Sequence, residues 1–247
     1  MQPSFVHLRL HSEFSIVDGI VRIDDAVAAA KADGMPALAL TDLGNVFGMV
    51  KFYKEARGNG VKPIIGCDLL LSNETDRDNS FRLLLLAQNH EGYLRLCELL
   101  TRAYRSNQYR GRAEVMKSWF EDIGTGGLIA LSGAHQGDVG QALIAGQEDN
   151  ARRLAQDWAQ LFPGRFYLEV QRLGPQAMTA GAASVPVELH VGRALKLAGE
   201  LGLPAVATHP VQFLKPDEYR AHEARVCISE GYILSDQRRP RKFSTEQ

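Results

Sequence analysis

The sequence predicts an α/β fold built on a mostly parallel sheet. Strand-like and helix-like segments alternate about seven times along the chain, a pattern typical of strand–helix–strand units. Polar residues follow several predicted strands at their carboxyl ends, as in Thr41-Asp42 and Thr208-His209. Because the active sites of (β/α) barrels lie at that rim, this second observation favours a closed barrel. An open doubly wound sheet remains the other architecture.

The composition is that of an ordinary globular chain, with 247 residues, 45% of them hydrophobic and 23% charged. The net charge of -1 gives no global basic field that would predict nucleic-acid binding. Cys67, Cys97 and Cys227 are too few and too scattered for a disulfide framework or a cysteine zinc site. They suit a reducing compartment. With no segment of membrane-spanning length and no signal-peptide pattern, we expect a cytoplasmic protein without a membrane partner.

The first predicted strand, 5–12, alternates strictly between apolar and polar residues. The polar face carries His7, Arg9 and His11, and Asp18 follows soon after. Two imidazoles with a nearby carboxylate are how a metal site begins. Arg9 opposes metal binding because it is a permanent cation between the two imidazoles. For His7 we expect a hydrogen-bonded structural role.

Caps and periodicity predict the elements that follow. Asp24 or Asp25 is expected to cap a helix that runs to Ala32 and ends at Gly34, and a buried strand follows over 36–41. A loop rich in small residues, 173–186, is expected to be mobile. The further predicted helices span 46–57, 91–104, 138–145, 151–161, 187–201 and 216–229, and the further strands span 61–71, 81–87, 127–131, 166–170 and 205–208.

An ordered series of motifs resembles the PHP (polymerase and histidinol phosphatase) domain, in the version found at the N-terminus of the alpha subunit of bacterial DNA polymerase III. The series begins with 7–19 and covers nearly the whole chain. Its later members are 39–45, 52–53, 60–66, 85–89, 92–93, 131–133, 137–139, 206–208 and 221–223. The resemblance implies a distorted seven-stranded (β/α)7 barrel, PHP-type and TIM-like. It also implies a PHP domain over 1–230 and a basic linker over 231–247 toward a polymerase palm domain that these residues do not include.

The resemblance also implies a set of metal-site positions. Metal-binding members of the family hold two or three cations with nine side chains, an arrangement that suits phosphoester hydrolysis. Here His11, Asp18 and Asp42 keep the expected residue types, and Asp68 replaces a glutamate. The positions that lose a ligand type are Arg9, Leu43, Arg82, Ala134, Pro210 and Gln212.

The side chains at the replaced positions predict a degenerate metal site. Leucine, alanine and proline side chains donate nothing, and arginine cannot be deprotonated to coordinate a metal. We therefore expect neither a metal nor a catalytic residue in this domain, with His11, Asp18, Asp42 and Asp68 as the remaining metal candidates. Arg9 and Arg82 are predicted to form ion pairs with nearby aspartates, bidentate where geometry permits.

Three functions remain open at this point. The first is a non-catalytic structural module that braces a replicative polymerase and contacts its proofreading exonuclease subunit. By resemblance, the parent protein would bind DNA and other holoenzyme subunits and would use Mg²⁺ for DNA synthesis. The second is an active metal-dependent phosphoesterase, either an exonuclease or a pyrophosphatase. The third is a pocket in which Arg9 and Arg82 bind an anion without turning it over.

Overall fold

A computed structural model of the protein describes residues 5–172 and 187–236. These residues form two compact units, 5–65 with 209–236 and 66–172 with 187–208, and each unit is described by itself. The predicted mobile loop 173–186 and residues 237–247 of the predicted linker lie outside the described residues. None of the described helices has both the length and the apolar character needed to cross a membrane.

The described elements alternate as the sequence predicts, with additions. The helices are α1 (Ile23–Ala32), α2 (Met49–Gly58), α3 (His90–Ser106), α4 (Trp119–Ile123), α5 (Asp138–Ile144), α6 (Glu148–Leu161), α7 (Val187–Leu201) and α8 (Tyr219–Glu230), with 3-10 turns at Ala134–Gln136 and Pro216–Glu218. The strands are β1 (Ala37–Leu40), β2 (Lys62–Leu71), β3 (Phe81–Ala87), β4 (Gln108–Tyr109), β5 (Arg112–Val115), β6 (Leu128–Leu131), β7 (Phe166–Gln171) and β8 (Ala205–Thr208).

The first unit packs α1 and α2 against β1. This strand pairs in parallel with residues 62–65 of β2. Val27, Phe52 and Ala56 are fully buried in the core between these elements. The predicted aspartate cap of α1 is wrong, because the residue before the helix is Arg22 and it makes no side-chain cap. The two aspartates lie in the first turn instead, where they still favour the positive end of the helix dipole.

Residues 5–12 do not form the regular strand that their alternation predicts. Leu10 and Ser12 each make a single parallel bridge, with Val211 and Val21 respectively. The Leu10 N–H is donated to Thr41 Oγ1 at 2.9 Å instead of to a backbone carbonyl. Because a side-chain hydroxyl takes the place of a ladder acceptor, the segment is extended and bridged without being a continuous strand.

The sheet of the second unit is mixed, so the expectation of a mostly parallel sheet is met only in part. Residues 66–71 of β2 run antiparallel to β3, and β3 runs antiparallel to β6, whereas β6, β7 and β8 are parallel. The antiparallel direction of β3 relative to β2 follows from the connection between them, 72–80, which contains no helix. A parallel pair needs a long crossover, whereas a short polar loop returns the chain antiparallel.

The β4–β5 hairpin is a further element that the sequence analysis missed. Tyr109 pairs with Arg112, and the two residues between them, Arg110 and Gly111, have φ values of 48° and 78°. Positive φ at both central residues is the signature of a type I′ turn, which usually shows Asn or Asp followed by Gly. Arginine at the first position hid the turn from sequence reasoning.

Candidate functional site

In the first unit, three side chains contact the buried Asp18 carboxylate. His11 Nδ1 lies 3.0 Å from both carboxylate oxygens. Ser15 Oγ donates to Oδ1 at 2.6 Å, and Gln212 Nε2 donates to Oδ2 at 3.2 Å. The four side chains are buried, and they join the loop after residue 12 to the segment before α8. Two of the predicted site residues that keep their type, His11 and Asp18, therefore bind each other.

The backbone of Asp18 has a partner as well. His222, in the middle of α8, donates its Nε2 proton to the Asp18 carbonyl oxygen at 2.9 Å. Burial lowers the pKa of His222, although the Asp18 contacts oppose this shift. Next in the chain, Gly19 permits a close approach, since a Cβ there would lie 2.0 Å from the Ser12 carbonyl oxygen. The loop is thus shaped to present Asp18 inward.

Asp42 sits beside this network and contacts Ser12. Its Oδ1 accepts the Ser12 N–H at 2.6 Å, and its Oδ2 accepts the Ser12 hydroxyl at 3.0 Å. Burial raises the pKa of Asp42 to about 6, although the hydrogen bonds from Ser12 and the neighbouring His11 act in the opposite direction. Asp42 therefore changes charge close to neutral pH.

Three replaced positions of this unit, Arg9, Leu43 and Pro210, carry no side-chain atom that can coordinate a metal. The Leu43 N–H donates to Ser15 Oγ at 3.0 Å, but its side chain has no donor atom. Gln212, in place of a family histidine, makes the contact with Asp18 described above. Arg9 is buried, with 4% of its surface exposed, rather than extended into solvent. Pro210 has no side-chain atom that could bind a cation.

In the second unit, Arg82 and Asp68 form the ion pair that the sequence analysis predicts for Arg82. Arg82 Nη1 lies 2.9 Å from Asp68 Oδ2, and the exposed fractions of the two side chains are 17% and 1%. Asp68 lies on β2 opposite Leu84, and Arg82 is two residues from Leu84 on β3. This places the pair on one face of an antiparallel ladder at a diagonal spacing that a long side chain can span.

Ala134 lies in the same unit, at the position where the resemblance implies a cysteine or histidine ligand. It is buried and adopts a positive φ of 49°. Gly133 before it is required by the backbone, because a Cβ there would lie 2.2 Å from the Arg82 carbonyl oxygen. The turn therefore packs directly against the strand that carries Arg82 and contributes a methyl group instead of a ligand.

A second buried polar group in this unit was missed by sequence reasoning. The fully buried Glu169 accepts hydrogen bonds from Thr208 Oγ1 and Gln171 Nε2. His190 is 2% exposed, and burial, followed by the nearby His135, lowers its pKa to about 4 while Glu169 opposes the shift. The available signal was a glutamate between Leu168 and Val170 inside strand β7.

These donors fit a metal poorly. Across residues 5–172 and 187–236, no three His, Cys, Asp or Glu side chains are grouped so that they could hold a metal ion. Arg82 places a permanent cation against Asp68. A guanidinium at ion-pair distance repels a metal cation from the carboxylate that would bind it.

Comparison with known proteins identifies the class. The family model of the PHP domain matches residues 7–173, so the chain belongs to the PHP family. Among curated relatives, the DNA polymerase III subunit alpha of Neisseria meningitidis serogroup A is 48% identical over 247 residues. The same subunit is 44% identical in Pseudomonas aeruginosa, again over 247 residues, and 37% identical over 246 residues in Escherichia coli K12. Each alignment covers the whole chain but only 20–21% of the relative, so the chain spans about a fifth of these proteins' length.

Solved structures share the fold at low sequence identity. An amidohydrolase from Chromobacterium violaceum, determined with bound sulfate and no metal, matches with a TM-score of 0.52 and 17% identity over 89% of this chain and 96% of that one. A protein from Bifidobacterium adolescentis, assigned as a metal-dependent phosphoesterase, matches with a TM-score of 0.50 and 10% identity over 90% and 96%. These likenesses confirm the α/β fold with a central sheet, and a TIM-like barrel is consistent with them.

Proposed function

We propose that this chain is the N-terminal PHP domain of a replicative DNA polymerase III alpha subunit, in which it has a structural role. The observation that carries the assignment is the alignment of all 247 residues with that subunit at up to 48% identity. In this proposal residues 1–230 form the PHP domain and residues 231–247 lead toward the polymerase palm. The structural role is argued from the site.

The Arg82–Asp68 ion pair is the first support for a degenerate site. A carboxylate on the family's metal-site position is held at 2.9 Å by a side chain that cannot leave its charged form. The pair is well shielded from solvent, since Asp68 is 1% exposed. Protein charge therefore takes the place of a cation at this position.

The Asp18 network is the second support. The Asp18 oxygens accept from Ser15 and Gln212 and lie 3.0 Å from His11, so most of the lone-pair positions of this carboxylate are used within the protein. Gln212 stands where the resemblance implies a histidine, and its amide nitrogen donates a proton to Asp18. The residues that remain at the site therefore stabilise the fold through hydrogen bonds.

The partners in this proposal follow from the assignment. The domain braces the polymerase core and contacts the proofreading exonuclease subunit. DNA, other holoenzyme subunits and Mg²⁺ are bound by the rest of the parent protein, in the cytoplasm. Immobilised 247-residue chain is expected to retain the purified exonuclease subunit and not an unrelated exonuclease. No retention of the cognate subunit would contradict this contact.

Hydrolysis of bis(p-nitrophenyl) phosphate tests the structural role against the phosphoesterase alternative. We expect no hydrolysis above background, with or without added Mn²⁺, and no stoichiometric zinc or manganese in protein purified without chelators. The alternative rests on the retained His11, Asp18, Asp42 and Asp68. It would be established by activity that is lost in His11→Ala but kept in His90→Ala, a matched change at an exposed histidine.

A further inference from the structure

The last described helix, α8, buries polar side chains and exposes a large apolar one. His222 and Glu223 are buried, whereas Ile228 is 83% exposed. A helix on the surface of a globular domain normally shows the reverse pattern, with its apolar side chains inward and its polar side chains outward. At Ile228 the outer side of α8 therefore has the character of a helix that another element covers.

Ile228 belongs to an uncharged stripe along the outer side of α8. Ala221, Ala224 and Ile228 lie at i, i+3 and i+7, a spacing that places them on one side of a helix. Ala221 is exposed and Ala224 is partly exposed. Because the two alanines are small, a second backbone can approach the helix closely along this stripe.

The exposed apolar surface continues past the end of the helix. Gly231 has a φ of 74°, and the Tyr232 N–H donates to the Cys227 carbonyl oxygen at 2.9 Å, a helix-ending arrangement that holds the next residues beside the last turn. Tyr232 and Ile233 are both exposed, Ile233 at 68%. Neighbouring exposed apolar side chains mark an interaction site, whereas single ones do not. We call Ile228, Tyr232 and Ile233, with the stripe, the α8 apolar surface.

Contacts on the inner side of α8 fix the direction of this surface. His222 donates to the Asp18 carbonyl oxygen, and Arg225 Nε donates to the Ile16 carbonyl oxygen, each at 2.9 Å. The helix cannot rotate to bury Ile228 without breaking both hydrogen bonds. The α8 apolar surface is therefore preorganised for a segment that reaches it from outside the described residues.

The length of the relatives indicates which segment that is. The chain corresponds to about a fifth of the relatives' length, and under the proposed function the other four fifths follow residue 247. Ile233 lies 14 residues before residue 247. A stretch of that length spans at most about 50 Å, so the polypeptide beyond residue 247 begins within reach of the α8 apolar surface.

We propose that the α8 apolar surface is the docking site for the polypeptide that follows residue 247 in the full-length subunit. The inference rests on the proposed function, because it requires that longer subunit. It goes further by assigning the contact between the PHP domain and the remainder of the subunit to Ile228, Tyr232 and Ile233. The contact is apolar, and burial of these side chains is its main source of stability.

Ile228→Cys reports directly on whether this surface is covered. Its modification by N-ethylmaleimide is compared in the 247-residue chain and in the full-length subunit, and tandem mass spectrometry distinguishes position 228 from the buried Cys227. We expect rapid modification in the 247-residue chain and modification at least about tenfold slower in the full-length subunit. Val50→Cys, at an exposed position of α2, is the matched control and should react equally in both.

Three results would overturn the docking site. Position 228 could react at the same rate in both proteins. It could be protected in the 247-residue chain with increasing protein concentration, which would assign the surface to a second copy. It could be protected in the full-length subunit only after the purified exonuclease subunit is added, which would assign the surface to that partner.

Primer extension by the same full-length preparation tests the proposed function separately. Extension together with an unprotected position 228 would overturn the docking site and leave the polymerase assignment intact. Protection of position 228 without extension would support the docking site and contradict the polymerase assignment.

Discussion

Arg82 and Asp68 face each other diagonally across β2 and β3, with 2.9 Å between Nη1 and Oδ2. The pair joins two central strands of the second unit at a position where metal-binding members of the family are expected to hold a cation. Its stability is therefore the most direct test of how this chain maintains the fold at that position.

Removing the arginine should destabilise the protein. Arg82→Met leaves the Asp68 carboxylate, 1% exposed, without this partner, and we expect unfolding free energy to fall by up to about 3–5 kcal/mol in urea titrations. Arg153→Met breaks an exposed pair with Asp157 in the same unit and should cost no more than about 1 kcal/mol. Equal losses in the two variants would show that the Arg82 pair is not energetically special.

The Asp18 network predicts a second loss of stability. Asp18→Asn keeps one oxygen acceptor but replaces the other with an amide donor, which faces the donor of either Ser15, on Oδ1, or Gln212, on Oδ2. We expect a loss of about 1–3 kcal/mol. Thermal unfolding would measure it against Asp217→Asn, a change at an exposed aspartate. A melting temperature as high as that of the control would argue against the network.

His190 predicts a loss of stability in acid. Its pKa is about 4 in the folded protein and 6.5 as a reference, so the unfolded state binds the proton more readily between these values. Stability from this group is complete above about pH 6.5 and falls as the pH drops toward 4, by roughly 3 kcal/mol in total. Burial is the main cause of the lowered pKa of His190, the nearby His135 lowers it further, and Glu169 acts in the opposite direction.

Unfolding in urea at pH 7 and pH 4.5 measures this contribution. His190→Leu should flatten the acid dependence, whereas His90→Leu, at an exposed histidine, should leave it unchanged. An unchanged slope in His190→Leu would assign the acid sensitivity to other groups.

Asp42 predicts the opposite pH dependence. Its pKa rises from 3.8 to about 6 on folding, so the folded state holds the proton more tightly. Stability therefore decreases as the pH rises from about 4 to 6, at a cost of roughly 3 kcal/mol above pH 6. Asp42→Asn can still accept from Ser12 N–H, and it should remove this decrease. The measurement is unfolding free energy at pH 4.5 and 7, and a persistent decrease in the variant would contradict it.

Local signals predicted most elements because each depends on nearby residues. The helix over 187–201 and the strands over 81–87 and 205–208 agree with the structure residue for residue. The segment 5–12 failed because its alternation does not reveal that Thr41 supplies a hydroxyl in place of a backbone acceptor. The antiparallel direction of β3 was missed because periodicity does not state which way a strand runs.

The site was predicted in part for a related reason. Arginine chemistry required a carboxylate partner for Arg82, and the ladder places Asp68 within reach. The sequence could not show that Gln212 would donate to Asp18 or that Glu169 would hold Thr208, since these contacts depend on tertiary packing between distant segments.

The Asp18 network also bears on the order in which the chain folds. Asp18 is separated by 194 residues from Gln212 and by 204 residues from His222. A contact between residues so far apart in sequence requires the closure of a long loop, which is entropically unfavourable, so it forms slowly. During synthesis the loop that carries Asp18 leaves the ribosome before Gln212 and His222 do. The Asp18 carboxylate therefore remains solvated until these partners are available to bury it. The second unit, whose ladder partners are nearer in sequence, can be complete before that closure occurs.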